Sequence, residues 1–562
     1  MLTDYSAVGE HAVGEMDAAF DASVLGALRF LLDDPDAALV FLLILRPIRY
    51  GSGVTQHAVD EDALLGESSF IDAAPEIFAV SDLGYQTGTA GSESTNAWGS
   101  ATAPANTNFA PRLLAPLEYS VLIPYPGNDG SSFSQGEIVI NNADGGLDGW
   151  LRDVWVGRDY EIKIGEKSLA YSEFETFSKG RIGAMRWDAQ TVTLSVSDAS
   201  ERLQQPVQTN LYAGTGGLEG GAGLEGLPKP LLFGARSNLP LVLVDAVNRI
   251  YQVHHGSIDG VSAVRDNGTA LAFDANVADI STATPAPGEY ATSLATGLIK
   301  LGASAEGQVT ADCTGDNAGG YVSTAAAIAD RIVRNHGGFT SAEIDAGAIN
   351  LAALAAPAAV GIWTGTNEHA ATDLLNNLLA NVGWWTFDRA GLFSVGVLDS
   401  PGAPSAEFDQ TNINNLQRLP TAEPLKRLRL GYAKNAAVQD ADGLAAALSD
   451  ADRQRYSSEF LYVSRDYSLA GDRHKSARTQ TIGSLINSKS DALIELDRLL
   501  ARDRCHQDLY QLDVLRHLWQ TRIGDTIRVV YPRFGLESGK SFRVVGISES
   551  ASERSATLTL WG

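Results

Sequence analysis

Cysteine is scarce in this chain: only Cys313 and Cys505 occur among 562 residues. Two thiols so far apart build neither a disulfide framework nor a cysteine-only metal site, and such low usage fits a reducing compartment of synthesis. Long apolar runs are also missing. The longest, Ala37 to Leu45 (AALVFLLIL), has 9 residues, whereas a membrane-spanning helix needs about 20. It reads as a buried helix or strand stopped at Arg46-Pro47. The first residues, MLTDYSAVGEH, lack the basic stretch and apolar core of a secretory leader. A soluble chain with no membrane insertion is expected. Positive charge is the third shortage. With 42 Lys and Arg against 68 Asp and Glu, the formal charge is −26, a surface that repels a phosphate backbone, so specific nucleic-acid binding is not expected. Nor is there a Gly-x-Ser-x-Gly elbow, a His-Glu-x-x-His pair or a phosphate loop.

What is present points to β structure. The hydrophobic share of 44% supplies real cores, and 56 glycines exceed the usual share of about 7%. The first ~45 residues are the exception: Met16, Phe20, Val24, Leu25, Leu28 and Leu31 recur at helical spacing. A polar, loop-like stretch runs from Gln86 to Asn108. Period-2 runs follow in VLIPYPG, EIVIN, YEIKIG and TVTLSVSD, where Val192, Leu194 and Val196 share one face of a half-buried strand. Between about 320 and 400 the texture becomes α/β. Helices are predicted over Ala325–Asn335 and Ala371–Asn381, with an apolar segment at Asp345–Ala355. A hairpin turns at Asp388-Arg389-Ala390-Gly391. Near the C-terminus a helix capped by Ser488 or Ser490 precedes the strands LYQLDVL, DTIRVVY, KSFRVVGI and SATLTLWG. The predicted fold class is mainly β with an α/β insertion, β-barrel domains and a helical N-terminal segment.

Chemical motifs are weak. Gly221-x-Gly223-x-x-Gly226 matches a dinucleotide fingerprint by letter, but Pro228 and Pro230 follow where the phosphate-binding helix would begin, so a loop is predicted. Asn141 to Gly149 (NNADGGLDG) lacks the alternating ligands of a calcium loop and reads as a turn. His254 and His255 are adjacent, hence on opposite faces of a strand. Trp384-Trp385-x-Phe387 reads as core beside the hairpin, with a sugar platform as its functional alternative. No catalytic, cofactor-binding or metal-binding residue is assigned, and no enzyme activity is expected. A tail-associated cell-wall glycosidase and a carbohydrate-binding receptor protein stand as alternatives.

Four stretches in order, GEIVINNADGGLDGW, KPLLFGARSNLPLVLVDAVNRIYQVHHG, GWWTFDRAGLFSVGVL and GKSFRVVGI followed by TLTLWG, resemble the central hub (baseplate hub or tail-tip) proteins of tailed bacteriophages and gene transfer agents. The resemblance covers roughly residues 75–562. It falls on Gly136, Asp144, Gly145 and Asp148, on Lys229-Pro230 and Phe233-Gly234, and on Gly391, Gly524, Gly539, Gly546 and Trp561. It implies a non-enzymatic virion protein at the distal end of the tail, assembled in the host bacterial cytoplasm. Its implied partners are its own copies in a homotrimeric ring, the distal tail protein, the tail tube, the tape measure protein, and tail fibre or spike proteins. The ring would adapt the tube to the tip and gate tape-measure and DNA exit. The expected divisions are 1–50 (helical segment), 51–215 (first barrel), 216–318 (linker and β-rich connector), 319–400 (α/β insertion) and 401–562 (second barrel).

Overall fold

A computed structural model describes residues 39–49, 78–87, 106–128, 130–197, 199–380, 382–515 and 521–562. The protein is mainly β, as its composition and periodicities predict. The helical reading of residues 1–45 lies outside the described residues except at its end. There it is corrected: Leu39–Leu45 is a strand with all seven residues buried. Phe41, Leu43 and Leu45 enter one core, while Val40, Leu42 and Ile44 enter another. A strand buried on both faces carries no alternation, so period alone does not separate it from a helix.

This strand is central in a nine-stranded sheet, paired antiparallel with Asp159–Glu166 on one side and Phe78–Ser81 on the other. The sheet continues through Glu175–Trp187, Thr191–Ser197, Glu137–Asn141 and Leu113–Ala115. In Thr191–Ser197, Val192 and Leu194 are buried as predicted, but Thr193 is buried as well, so this strand too is covered on both sides near its start.

Two five-stranded sheets follow. One contains Leu232–Pro240, Ile258–Asp266 and Val309–Asp316; the other contains Ile250–Gln252, Leu298–Leu301 and Glu289–Ser293. They share a core in which Leu232, Leu239 and Cys313 meet Tyr251, Tyr290 and Ile299. Cys313 is sealed in that core, and burial pushes its thiol far up.

Helices α1 (Ala325–Gly337), α2 (Ala346–Ala355) and α3 (Ala371–Leu379) come next. Thr324 caps α1 by accepting from the Ala327 amide, and Gly338 ends it at φ +64°. Helix α4 (Lys489–Asp503), capped by Ser488, packs on Leu425–Tyr432 of a three-stranded sheet. These helices and the hairpin Trp384–Phe387/Phe393–Gly396 share one large core.

Sheet membership crosses the expected divisions. The last sheet is built from Ala406–Phe408, Ile413–Leu419, Leu509–Leu515, Thr526–Val529, Lys540–Ser550 and Ser555–Trp561. It also takes Glu118–Leu122, which pairs along Lys540–Ser550 from Gly546↔Leu122 to Ser550↔Glu118, and Ser132–Gln135 beside it. The chain leaves the first sheet after Leu113–Ala115, makes this hairpin in the last sheet, and returns at Glu137–Asn141. Gly136 sits at the return, where a Cβ would stand 3.0 Å from that of Glu118. Among the described residues no helix is long and apolar enough to cross a membrane.

Candidate functional site

The residues singled out in the sequence do not gather into one pocket. They occupy the seams between sheets. Lys229 and Pro230 lead into Leu232–Pro240 through a backbone whose polar groups are taken up by side chains and neighbouring loops. The Leu231 amide donates to Thr364 Oγ1 and the Leu232 amide to His254 Nδ1, both at 2.9 Å. The Pro230 carbonyl accepts from the His255 amide at 2.7 Å. Proline supplies no donor of its own and presets φ, so this approach is held without a ladder. Lys229 Nζ meets Glu219 Oε1 at 2.8 Å, which ties down the glycine-rich loop. That loop forms two short 3₁₀ turns, Gly217–Glu219 and Ala222–Leu224. No long helix starts there to receive a dinucleotide phosphate.

His254 is 3% exposed. Burial pushes its imidazole down from the ordinary 6.5 to about 4, so at neutral pH it is the neutral acceptor for Leu232. His255 and His336 are shifted the same way by burial. The unfolded chain takes up the proton at the ordinary value, while the folded chain resists until about 4. The His254 contribution is therefore complete above pH 6.5, declines as pH falls, and is gone below about 4. At 1.36 kcal/mol per unit this amounts to about 3 kcal/mol. The unfolding midpoint in urea, measured from pH 7 to 4, is expected to fall in the wild type and to fall distinctly less in His254→Gln. Parallel curves would refute this assignment.

A second seam joins the first region, the hairpin and the last sheet. Trp384 is 7% exposed and packs with Ile123, Leu398, Leu509, Val545 and Trp561. Two of the glycines belong to this seam. A Cβ on Gly524, which has φ +85°, would come within 3.1 Å of Trp384, and one on Gly546 within 2.8 Å of Leu122 Cδ1. Trp385 is half-buried, and its Nε1 donates to Asn376 Oδ1 at 2.9 Å. The Trp pair therefore offers no open double platform for a sugar ring. Gly391 (φ +75°) makes the tight turn the sequence predicts, and Gly539 (φ +79°) makes another. Asp144 forms a bidentate pair with Arg112, and Asp148 accepts from Asn142, which organises NNADGGLDG as a turn.

Arg389, at the tip of the hairpin, is the connection that pattern reading missed. Its Nη1 lies 2.5 Å from Glu549 Oε2, with side-chain exposures of 14% and 2%. Its guanidinium stands 5.9 Å from the Phe177 ring of the first sheet, and its carbonyl accepts from the Lys179 amide. Arg389 thus links the hairpin to both the first and the last sheet. The only sequence signal was its place in a turn.

Two clefts open between these elements. One, of about 690 Å³, lies between Tyr125, Trp384, Trp385, Arg478 and Arg502. The other, of about 360 Å³, gathers Glu161, Glu343, Lys179 and Arg202. Its two most buried carboxylates are engaged. Glu343 receives Arg202 Nη1 at 2.7 Å and both the amide and hydroxyl of Thr340. Burial opposes its ionisation, but these hydrogen bonds outweigh burial and hold it below the usual carboxylate range. Glu161 accepts from Thr176 and has Arg46 and Lys163 at 3.7 and 3.6 Å. A glycosidase needs a carboxyl group kept protonated to donate to the leaving oxygen, and Glu343 is shifted in the opposite direction. No group of three or more metal-ligating side chains occurs among the described residues.

The class defined by this architecture is a mainly β protein with sheets interlocked by exchanged strands. No family model and no curated protein matches the chain. Among solved structures it is similar to the tail protein from Neisseria meningitidis MC58, at 11% identity and TM-score 0.36 over 81% of this chain and 93% of that one. The 43 kDa tail protein of prophage MuSo2 from Shewanella oneidensis aligns at 12% identity and TM-score 0.33, over the same shares of both chains. A chain of the native gene transfer agent virion aligns at 13% and TM-score 0.38, over 60% of this chain and 84% of that one.

Proposed function

We propose that this chain is a structural hub of a phage-type tail tip, a non-enzymatic part that works by docking to copies of itself and to neighbouring tail proteins. The observation that carries the reading is the exchange of strands Glu118–Leu122 and Ser132–Gln135 into the last sheet. Together with the Arg389–Glu549 pair, it joins the first and last sheets mechanically. An adaptor that transmits force between a tube and a tip needs such coupling; a catalyst needs a convergent pocket instead. In this reading the chain closes a threefold ring, since a closed cyclic assembly leaves no growing end. The ring meets the tail tube, the distal tail protein and the tape measure protein above, and fibre or spike proteins below, in the virion of a phage or prophage. Its charge of −26 keeps passing DNA from adhering where acidic residues line the channel. The divisions expected from sequence from 51 onward serve as its working units, with Leu39–Leu45 counted in the first sheet and the strand exchange linking 51–215 to 401–562.

The test is the mass of the purified full chain and electron-microscope images of it alone and on assembled tails. Three copies in a ring at the tail tip are the expected result. A single copy on the assembled tail would overturn the proposal, and so would release of muropeptides from cell walls by the purified protein.

A further inference from the structure

The larger cleft is bordered by two strands that stand at sheet edges. Arg478–Gly483 is the outer strand of the three-stranded sheet, laid parallel on Leu425–Tyr432, and Trp384–Phe387 is one arm of the two-stranded hairpin. Arg478, Gln480 and Ile482 line the cleft from the first strand, Trp384 and Trp385 from the second, and Tyr125 from the turn between the exchanged strands. Helix α4 lies over the other two strands of the three-stranded sheet, Leu425–Tyr432 and Leu461–Asp466. Proteins guard an open strand edge with lysine, proline, a bulge or a covering element. From Thr479 to Ile482 (TQTI) there is no charge and no proline, and Thr479 and Thr481 are exposed. An uncharged, β-branched edge of this kind accepts a further strand, whose main chain extends the ladder.

The side chains of the cleft state what that strand carries. Arg478 donates from Nε to the Glu423 carbonyl at 3.0 Å, and its guanidinium makes no ion pair with a carboxylate of the described residues. Arg502, the other cation of the lining, is held by Asp503 at 2.6 and 2.7 Å. An arginine left uncommitted in a chain of charge −26 offers a forked donor that a carboxylate matches. Trp384 is 7% exposed, and its indole N–H has no acceptor among the described residues, a buried donor that calls for one. The rings of Tyr125 and Trp385 supply apolar surface for alternate side chains. The volume, about 690 Å³, is ordinary for a ligand site.

We propose that this cleft binds an extended acidic peptide of another protein, added as a strand along Arg478–Ile482, with a carboxylate on Arg478 and apolar side chains against Tyr125 and Trp385. The inference is independent of the tail reading. Its test is to pan a displayed library of random heptapeptides on the full chain and to measure the selected peptides by fluorescence polarisation and hydrogen exchange. Enriched peptides are expected to carry Asp or Glu among apolar residues and to slow exchange of amides in 478–482. Arg478→Gln and, separately, Gln480→Glu, which adds a like charge, are each expected to weaken binding about tenfold or more with the melting temperature unshifted. Methylating one set of alternate peptide nitrogens is expected to abolish binding, and methylating the other set to leave it intact. Winners without an acidic residue, equal binding to both variants, indifference to methylation, unchanged exchange or no enrichment would each overturn the proposal. Protection of both alternate sets of these amides in the chain alone assigns the edge to this chain or a second copy and overturns it as well.

Discussion

Arg389→Ala is expected to lower the unfolding free energy by about 3–5 kcal/mol, the usual cost of removing one partner from a buried ion pair. Glu549 is 2% exposed and receives Arg389 at 2.5 Å, so the substitution leaves a carboxylate in a site with little access to water. The contact with Phe177 and the packing of the arginine stem are lost as well. Urea unfolding of wild type and variant, read at the midpoint with the slope held common, checks the figure. The double variant Arg389→Met, Glu549→Leu is expected to recover most of the loss, because replacing both charges removes the desolvation penalty along with the attraction. A single-variant effect under about 1 kcal/mol would show that Arg389 is not what holds the seam. So would a double variant that is no better than the single.

Gly234→Ala is the second large effect. Gly234 has φ +69°, where an L residue costs about 1–2 kcal/mol. More serious is the space: a Cβ would stand 2.1 Å from the Val360 carbonyl oxygen and 2.8 Å from Ile328 Cδ1. A backbone oxygen cannot rotate aside as a side chain can. Relief requires parting Leu232–Pro240 from Gly361–Trp363, whose pairing runs through Gly234↔Gly361. A loss of about 3–5 kcal/mol, or failure to recover soluble protein, is expected. Gly221→Ala is the control. Gly221 has φ −77° and nothing within 4 Å of an added Cβ, so its variant is expected within about 0.5 kcal/mol of wild type. Equal melting temperatures for the two variants would contradict the structure.

These two residues mark how far the sequence could be read. Gly234 was singled out by resemblance, but the contact that demands glycine there comes from residue 360. Arg389 was visible only as a turn residue, since no local pattern encodes an ion pair spanning 160 positions. Elements whose signals are local were legible. The helix over Ala325–Asn335, the cap at Ser488 and the C-terminal strands each rest on residues close in sequence. The run at Leu39–Leu45 stayed open between buried helix and strand, although the helical reading of the first residues extended over it, because burial on both faces erases its period.

By itself, then, the sequence determined the β-rich class, the positions of most strands and capped helices, and the acidic surface, because periodicity, turn chemistry and charge are properties of neighbouring residues. Only the tertiary structure decided that residues 118–122 and 132–135 belong to the last sheet and that Glu161 and Glu343 of the smaller cleft are paired with cations. Those outcomes depend on which distant segments come together. Strand pairing and desolvated charge are settled by partners far along the chain.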